Sequence, residues 1–184
     1  MDSAYHHILE PLSVGPLELA NRVIMVPMDT GMSQGAQRYS DREIAYFTER
    51  AAGGTALVIT GATYVTDEFE KPGSTFSAIG TDDVLPVLSR FADSIHSVGG
   101  KLGFQLTAGL GRNANPAELD KTPVSASAVP SFYDPSLICR ALETDEVKLL
   151  VRRMAEAAAR VEKAGGDAVD IHGHTGYLID QFLS

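Results

Sequence analysis

Arg50-Ala51-Ala52-Gly53-Gly54-Thr55-Ala56-Leu57-Val58-Ile59-Thr60 runs from a helical pattern through a Gly-Gly pair into a short apolar stretch. The same grammar returns at His96-Ser97-Val98-Gly99-Gly100 before Leu102–Thr107, and at Glu162-Lys163-Ala164-Gly165-Gly166 before Ala168–His172. A glycine just past a helix supplies a left-handed cap, and a strand can then begin within a few residues. Helix starts are marked as well. Ser40-Asp41-Arg42-Glu43 is a capping box ahead of Ile44, Ala45 and Phe47. Thr81 precedes Asp82 and Asp83, and Thr144 precedes Asp145 and Glu146. Each threonine offers a hydroxyl cap, with acidic residues where the helix dipole favours them. With Val23–Met28 as a first strand the order is β-α-β-α-β-α-β, which argues for a parallel sheet with right-handed crossovers.

The connections are unequal. Helix-to-strand loops are tight, whereas the strand-to-helix connections from Gly61 to Gly80 and from Ala108 to Glu143 are long. Long connections are uncommon in a compact domain unless they serve function. These fall beyond the carboxyl ends of the strands, where barrels and open α/β sheets place their chemistry. Leu12–Leu19 reads as a small hairpin turning at Gly15-Pro16, placed to plug the opposite end of a barrel.

Composition bounds the rest. The chain has 184 residues, 44% hydrophobic and 21% charged, enough for one globular core. Fifteen basic against 24 acidic residues give a net charge of −9, which disfavours nucleic acid as a partner. The single cysteine, Cys139, excludes an internal disulfide and fits a reducing compartment. Met1-Asp2-Ser3-Ala4-Tyr5 has no basic leader region, and no segment approaches the roughly 20 apolar residues that span a bilayer. A cytoplasmic protein without a membrane partner is the expectation.

Four strand ends carry candidate chemistry. Val26-Pro27-Met28-Asp29-Thr30-Gly31 can present amides and a hydroxyl to a planar ligand, or merely end a strand. Ile59-Thr60-Gly61-Ala62 has a glycine that would let a flat ring approach the backbone, or serve a turn. If Phe104 and Leu106 face the helices, Gln105 points into the barrel, where its carboxamide can donate and accept along a heterocycle edge. It serves equally well as a satisfied structural glutamine. Finally, Asp170-Ile171-His172-Gly173-His174-Thr175-Gly176-Tyr177 places histidines and a tyrosine at a strand end. Such groups can polarise a carbonyl and deliver a proton. A metal site would need the strand to continue so that His172 and His174 share a face; the glycines argue that it does not, and no metal is expected.

From about Leu12 to Ser184 these segments together resemble the old yellow enzyme family, notably its 2,4-dienoyl-CoA reductase and 2-enoate reductase branch. The markers are Asn21–Met25, Pro27–Gly31, Thr60-Gly61, Leu102–Arg112 and, above all, Asp170–Ser184. The resemblance implies a (β/α)8 TIM barrel of the FMN-linked oxidoreductase type, here about its first four β/α units, with FMN at the carboxyl ends of the strands. It implies that Pro27, Met28, Asp29 and Thr30 lie along the flavin, Gly61 lies near its edge, and Gln105 bonds the pyrimidine ring. His172 matches the residue that binds the substrate carbonyl oxygen, and Tyr177 the proton donor. The implied cycle is ping-pong: NAD(P)H reduces FMN, flavin N5 gives hydride to the β-carbon of an α,β-unsaturated carbonyl substrate, and Tyr177 protonates the α-carbon. Two places depart from the pattern. Thr175 stands where a second His or Asn often follows three residues after the first, with His174 beside it. No histidine follows the Gln105 strand in Thr107–Arg112.

A barrel of this kind needs about 250 residues. The expectation is therefore that residues 1–184 are the N-terminal half of an FMN-binding domain, either truncated or completed by another copy or a C-terminal half. Iron–sulfur cysteines, the arginine near the flavin and the phosphate-binding loops would belong to that further region. The isolated piece is then expected to hold FMN weakly and to show little activity. Two other readings stay open: a non-catalytic half-barrel acting as an assembly module, and a flavin-independent lyase or aldolase. The aldolase calls for a lysine at a strand end, whereas Lys101 begins its strand.

Overall fold

A computed structural model describes residues 5–33, 38–70 and 76–184. Residues 1–4, which bear on the leader reading, and 71–75 of the Gly61–Gly80 connection lie outside the described residues. In chain order the elements are α1 (His6–Leu9), β1 (Leu12–Val14), β2 (Leu17–Leu19), β3 (Ile24–Met25), α2 (Asp41–Ala52), β4 (Leu57–Ile59), β5 (Thr63–Tyr64), β6 (Ser77–Ala78), α3 (Leu85–Ser97), β7 (Lys101–Thr107), β8 (Val124–Ser125), β9 (Arg140–Ala141), α4 (Thr144–Lys163), β10 (Ala168–Ile171) and α5 (Leu178–Leu183).

The central sheet is parallel throughout, and along β3, β4 with β5, β7 and β10 its order follows the chain, while the short β6 pairs with β5 off this path. β3 pairs with β4, β4 and β5 pair with β7, and β10 pairs with β7. Sequential order of this kind puts every crossover helix on one face, as in a (β/α) barrel, and the curled sheet is a partial barrel. β4 and β5 are in effect one strand with a bulge. Ile59 sits opposite Gly103 and Thr63 opposite Leu106, so residues 60–62 contain one more residue than the facing strand. The buried hydroxyl of Tyr39 donates to Thr60 Oγ1 at 3.1 Å and also meets Thr63, which pins the bulge.

The core lies between the sheet and α2, α3 and α4. Ile44, Phe47 and Ala51 of α2 and Leu88, Phe91, Ala92 and Ile95 of α3 recur every three or four residues. They pack on Val58, Leu102, Phe104 and Leu106. β7 is buried along almost its whole length, so its alternation decides which side chains face inward: Phe104 and Leu106 go to the helices and Gln105 to the interior. The hairpin β1–β2 is antiparallel and turns at Gly15 with φ 59°. Leu19 packs on Ala56 and Leu57 at the amino end of β4, opposite the long loops.

Two of the three Gly-Gly pairs divide their labour; in the other, Gly53 stays right-handed at φ −72° and Gly54 takes φ 101°. Gly99 and Gly165 have φ of 84° and 90°, the left-handed conformation that ends α3 and α4. The second glycine admits close packing instead: a Cβ on Gly100 would lie 2.7 Å from Ala51 Cβ. Below the sheet, Asp167 accepts from Leu102 N at 2.9 Å, His96 Nε2 lies 2.7 Å away and Lys101 Nζ 3.0 Å away. Burial pushes its carboxyl pKa up, but these three partners outweigh that and hold it below the usual range.

Two expected caps differ. α4 begins one residue earlier than expected: Glu143 is its N-cap and Thr144 is already helical, because Glu146 reaches back to accept the Glu143 N–H at 2.8 Å. Thr81 makes no cap bond, and a 3-10 turn over Asp82–Val84 leads into α3. Ser40 does cap α2 through Glu43 N, but the Glu43 carboxyl accepts from Thr30 and Ser33 instead of reaching back. None of the described helices is long and apolar enough to cross a membrane.

Candidate functional site

The carboxyl ends of the parallel strands enclose a cavity of about 310 Å3 lined by Pro27, Met28, Asp29, Ala62, Phe76, Gln105, Leu110, His172, His174 and Tyr177. Each lining residue has a structural reason to be there. Pro27–Asp29 leave β3 without ladder partners and pass over the bulge. Gly61 lies beneath them: a Cβ there would sit 2.7 Å from Asp29 Cα, Asp29 N and Met28 O. Its lack of a side chain thus serves the crossing of two backbones, and the bulge presents Ala62 to the cavity. Thr30 is turned away, donating its hydroxyl to Glu43 at 2.8 Å and accepting from Met32 N.

Gln105 is buried, and its Nε2 donates to Asp170 Oδ2 at 2.7 Å. Asp170 faces Gln105 in the β10–β7 register, so the two inward side chains of adjacent strands are tied together. His172 follows β10 directly and extends its ladder by donating its N–H to Leu106 O at 3.0 Å. Its Nδ1 is 3.0 Å from Thr107 Oγ1. With Nδ1 engaged, Nε2 is the polar atom left for an occupant of the cavity. Burial, then the neighbouring His174, lowers the His172 pKa from 6.5 to about 4, against the pull of Asp170. The ring is therefore neutral at pH 7 and offers a hydrogen bond rather than a charge.

His172, His174 and Tyr177 form one aromatic cluster, with ring centroids 4.3 Å apart for His172–Tyr177 and 4.9 Å for His172–His174. Tyr177 is the N-cap of α5, which fixes its backbone. The turn before it is held by Asn113, whose Nδ2 donates to Thr175 O at 3.1 Å, and by Asp180, which accepts from Gly176 N at 2.7 Å. Gln181 adds a bond to Gly176 O at 2.6 Å. Thr175 has φ 56° and its hydroxyl meets His174 Nδ1, so the turn brings His174 to the cavity and leaves Thr175 at the surface.

Behind Leu110 lies a group that sequence reading did not single out. Glu70 is 2% exposed, and its Oε2 accepts from Leu110 N at 2.7 Å and Gly111 N at 3.3 Å. Its Oε1 has no partner among the described residues, and burial pushes its pKa up from 4.5 to about 7. Ala62, Phe76, Leu110, Asp170 and Thr107 were also missed as site residues. Only Asp170 and Thr107 had a usable signal, the inward phase of their strands.

Comparison with known proteins agrees with this architecture. Residues 7–184 match the model of the NADH:flavin oxidoreductase / NADH oxidase family. The chain is 36% identical over 187 residues to a cinnamate reductase of Clostridium sporogenes, covering 99% of this chain and 28% of that protein. It is 38% identical over 168 residues to an NADPH dehydrogenase of Listeria monocytogenes, covering 90% of this chain and 48% of that one. The structure of an old yellow enzyme homologue from Zymomonas mobilis superposes with a TM-score of 0.84 at 28% identity, over 95% of this chain and 50% of that one. The chain thus spans between about a quarter and a half of the length of these relatives. With strands in barrel order and a family match over nearly its whole length, this chain belongs to the NADH:flavin oxidoreductase / NADH oxidase family.

Proposed function

We propose that this chain is the N-terminal part of an FMN-dependent NAD(P)H oxidoreductase that reduces the activated C=C bond of an enoate, enone or dienoyl compound. The observation that carries the reading is the His172–His174–Tyr177 cluster at the rim of a cavity floored by Gln105. A cinnamate reductase among the relatives supports the class of substrate.

The lining fits a flavin ring. Gln105 has carboxamide groups for a heterocycle edge, and Pro27, Met28, Ala62 and Leu110 give apolar surface for a flat face. The ten lining residues include no lysine or arginine, so they suit the ring rather than the phosphate. Bound FMN would supply hydride, drawn from NAD(P)H, to the β-carbon of the substrate. The chain's own residues do the rest. Asp170 orients Gln105 by accepting one Nε2 hydrogen, leaving Oε1 and the other hydrogen for the ring edge. Neutral His172 donates from Nε2 to the carbonyl oxygen, where negative charge develops as the β-carbon is reduced. His174 lies on the same side and supplies a second polar contact. The Tyr177 hydroxyl delivers a proton to the α-carbon, and the α5 cap holds it in reach. Phe76 and Leu110 exclude water from the reacting atoms.

The barrel is completed by further strands along the open edges of β3 and β10, where Val23, Ile24, Val169 and Ile171 are exposed. The acidic composition with one buried cysteine agrees with a cytoplasmic location. The test is anaerobic: NADH or NADPH should bleach the flavin of the FMN-loaded protein, and cinnamate should restore its colour. Bleaching without cinnamate-dependent recovery would leave a flavoprotein and reject alkene reduction.

A further inference from the structure

Thr107 lies on β7 directly behind His172 and is fully buried. Its Oγ1 has three neighbours: Gly109 N at 3.1 Å, which donates to it, Gly109 O at 3.2 Å and His172 Nδ1 at 3.0 Å. A hydroxyl has a single proton, so it can serve only one of the last two at a time. If the proton goes to Gly109 O, Nδ1 must carry a hydrogen and Nε2 shows the cavity a lone pair. If it goes to Nδ1, the ring hydrogen moves to Nε2 and the cavity meets a donor. The two outcomes favour opposite ligands. A lone pair repels a carbonyl or carboxylate oxygen, whereas an N–H binds it.

The surrounding bonds leave the second outcome open. Gly109 O has a second donor, the Leu178 N–H at the start of α5, at 3.4 Å. Thr107 is the one hydrogen-bond partner of Nδ1 among the described residues. The carbonyl can therefore release the hydroxyl to Nδ1 without being orphaned, and the Nε2–H form that results is the one an oxygen acceptor in the cavity would select. We propose that Thr107 is a positioning residue whose hydroxyl donates to His172 Nδ1 and thereby fixes the Nε2–H tautomer. The cavity is then set to receive an oxygen acceptor. This rests on the reading of His172 as the carbonyl-binding group, and adds the residue that gives it that ability. Through Gly109 the same hydroxyl also touches the bonding of α5, the helix capped by Tyr177.

The test uses protein labelled with 15N in its histidine rings, studied by long-range 1H–15N NMR at pH 7, with His172 assigned through its loss in His172→Asn. The expected spectrum has an acceptor-type Nδ1 and a protonated Nε2. Thr107→Val, nearly the same size, should change the His172 nitrogen shifts and raise the KM for cinnamate about tenfold, the equivalent of one hydrogen bond. Thr107→Ser should restore both. A protonated Nδ1 in the unsubstituted protein would overturn the proposal, as would a Thr107→Val variant that matches it in shifts and KM. Absence of turnover with cinnamate would instead count against alkene reduction, and the nitrogen shifts would still decide the tautomer.

Discussion

Replacing Glu70 by glutamine removes a buried acid while keeping its shape. The side chain is 2% exposed, so solvent screens it little. Its two backbone donors, Leu110 N and Gly111 N, favour the charged form, but burial outweighs them and lifts the pKa from 4.5 to about 7. A raised carboxyl pKa means the folded protein holds this proton more tightly than the unfolded chain does. The stabilising effect of the protonated group is complete below about pH 4.5 and declines as pH rises towards 7, beyond which it is gone. The difference in pKa corresponds, at about 1.4 kcal/mol per pH unit, to about 3 kcal/mol. The assay is urea unfolding of the wild type and Glu70→Gln at half-unit steps from pH 4.5 to 8. The advantage of the wild type over the variant should fall by about 3 kcal/mol across that window and level off above pH 7. A constant difference, or one that grows with pH, would refute the reasoning. The first would mean that Glu70 titrates normally, and the second that the Leu110 and Gly111 amides dominate.

Other consequences are more local. Gly61→Ala puts a methyl 2.7 Å from three backbone atoms of Met28 and Asp29, and should cost about 1–3 kcal/mol in chemical denaturation. The same variant should disturb the cavity wall, read as weaker FMN binding in a fluorescence titration. Asp167→Asn removes the charge that Leu102 N, His96 and Lys101 surround, and should cost about 1–3 kcal/mol at pH 7. Because the Asp167 pKa is lowered, that cost should shrink as acid protonates the wild-type carboxyl. His172 should titrate near pH 4 by NMR, so its contribution to stability is intact above 6.5 and is lost as pH falls towards 4. A midpoint near 6.5 would show that the cavity leaves the ring in contact with bulk water.

Much of this architecture was legible in local sequence, because its causes are local. Gly99 and Gly165 end helices by taking φ that other residues avoid, and Ser40 caps α2 with its own hydroxyl. The inward phase of Gln105 follows from the two-residue period of β7. What stayed hidden depends on residues distant in sequence. Nothing near Gly61 reveals that the Met28–Asp29 backbone crosses it. Glu43 occupies the third helical position of a capping box, yet the hydroxyls of Thr30 and Ser33 claim its carboxyl. Thr30 was accordingly expected on the cavity and lies away from it. Glu70 sits in a long connection with no periodicity, and only folding brings it under the Gly109–Gly111 turn. At the last strand end, the choice of His174 over Thr175 is made by a left-handed turn at Thr175, for which a non-glycine residue gives no warning.

In the proposed function the His172–Tyr177 cluster carries out the alkene half of a two-step redox cycle. Stopped-flow absorbance of the FMN-loaded protein with Tyr177→Phe tests it most directly, since the phenol is removed and the ring packing on His172 is kept. Flavin reduction by NAD(P)H should keep its rate, while reoxidation by cinnamate should slow by at least about a hundredfold, the usual contribution of a positioned proton donor. Equal rates in both half-reactions would contradict the account and remove Tyr177 from the chemistry.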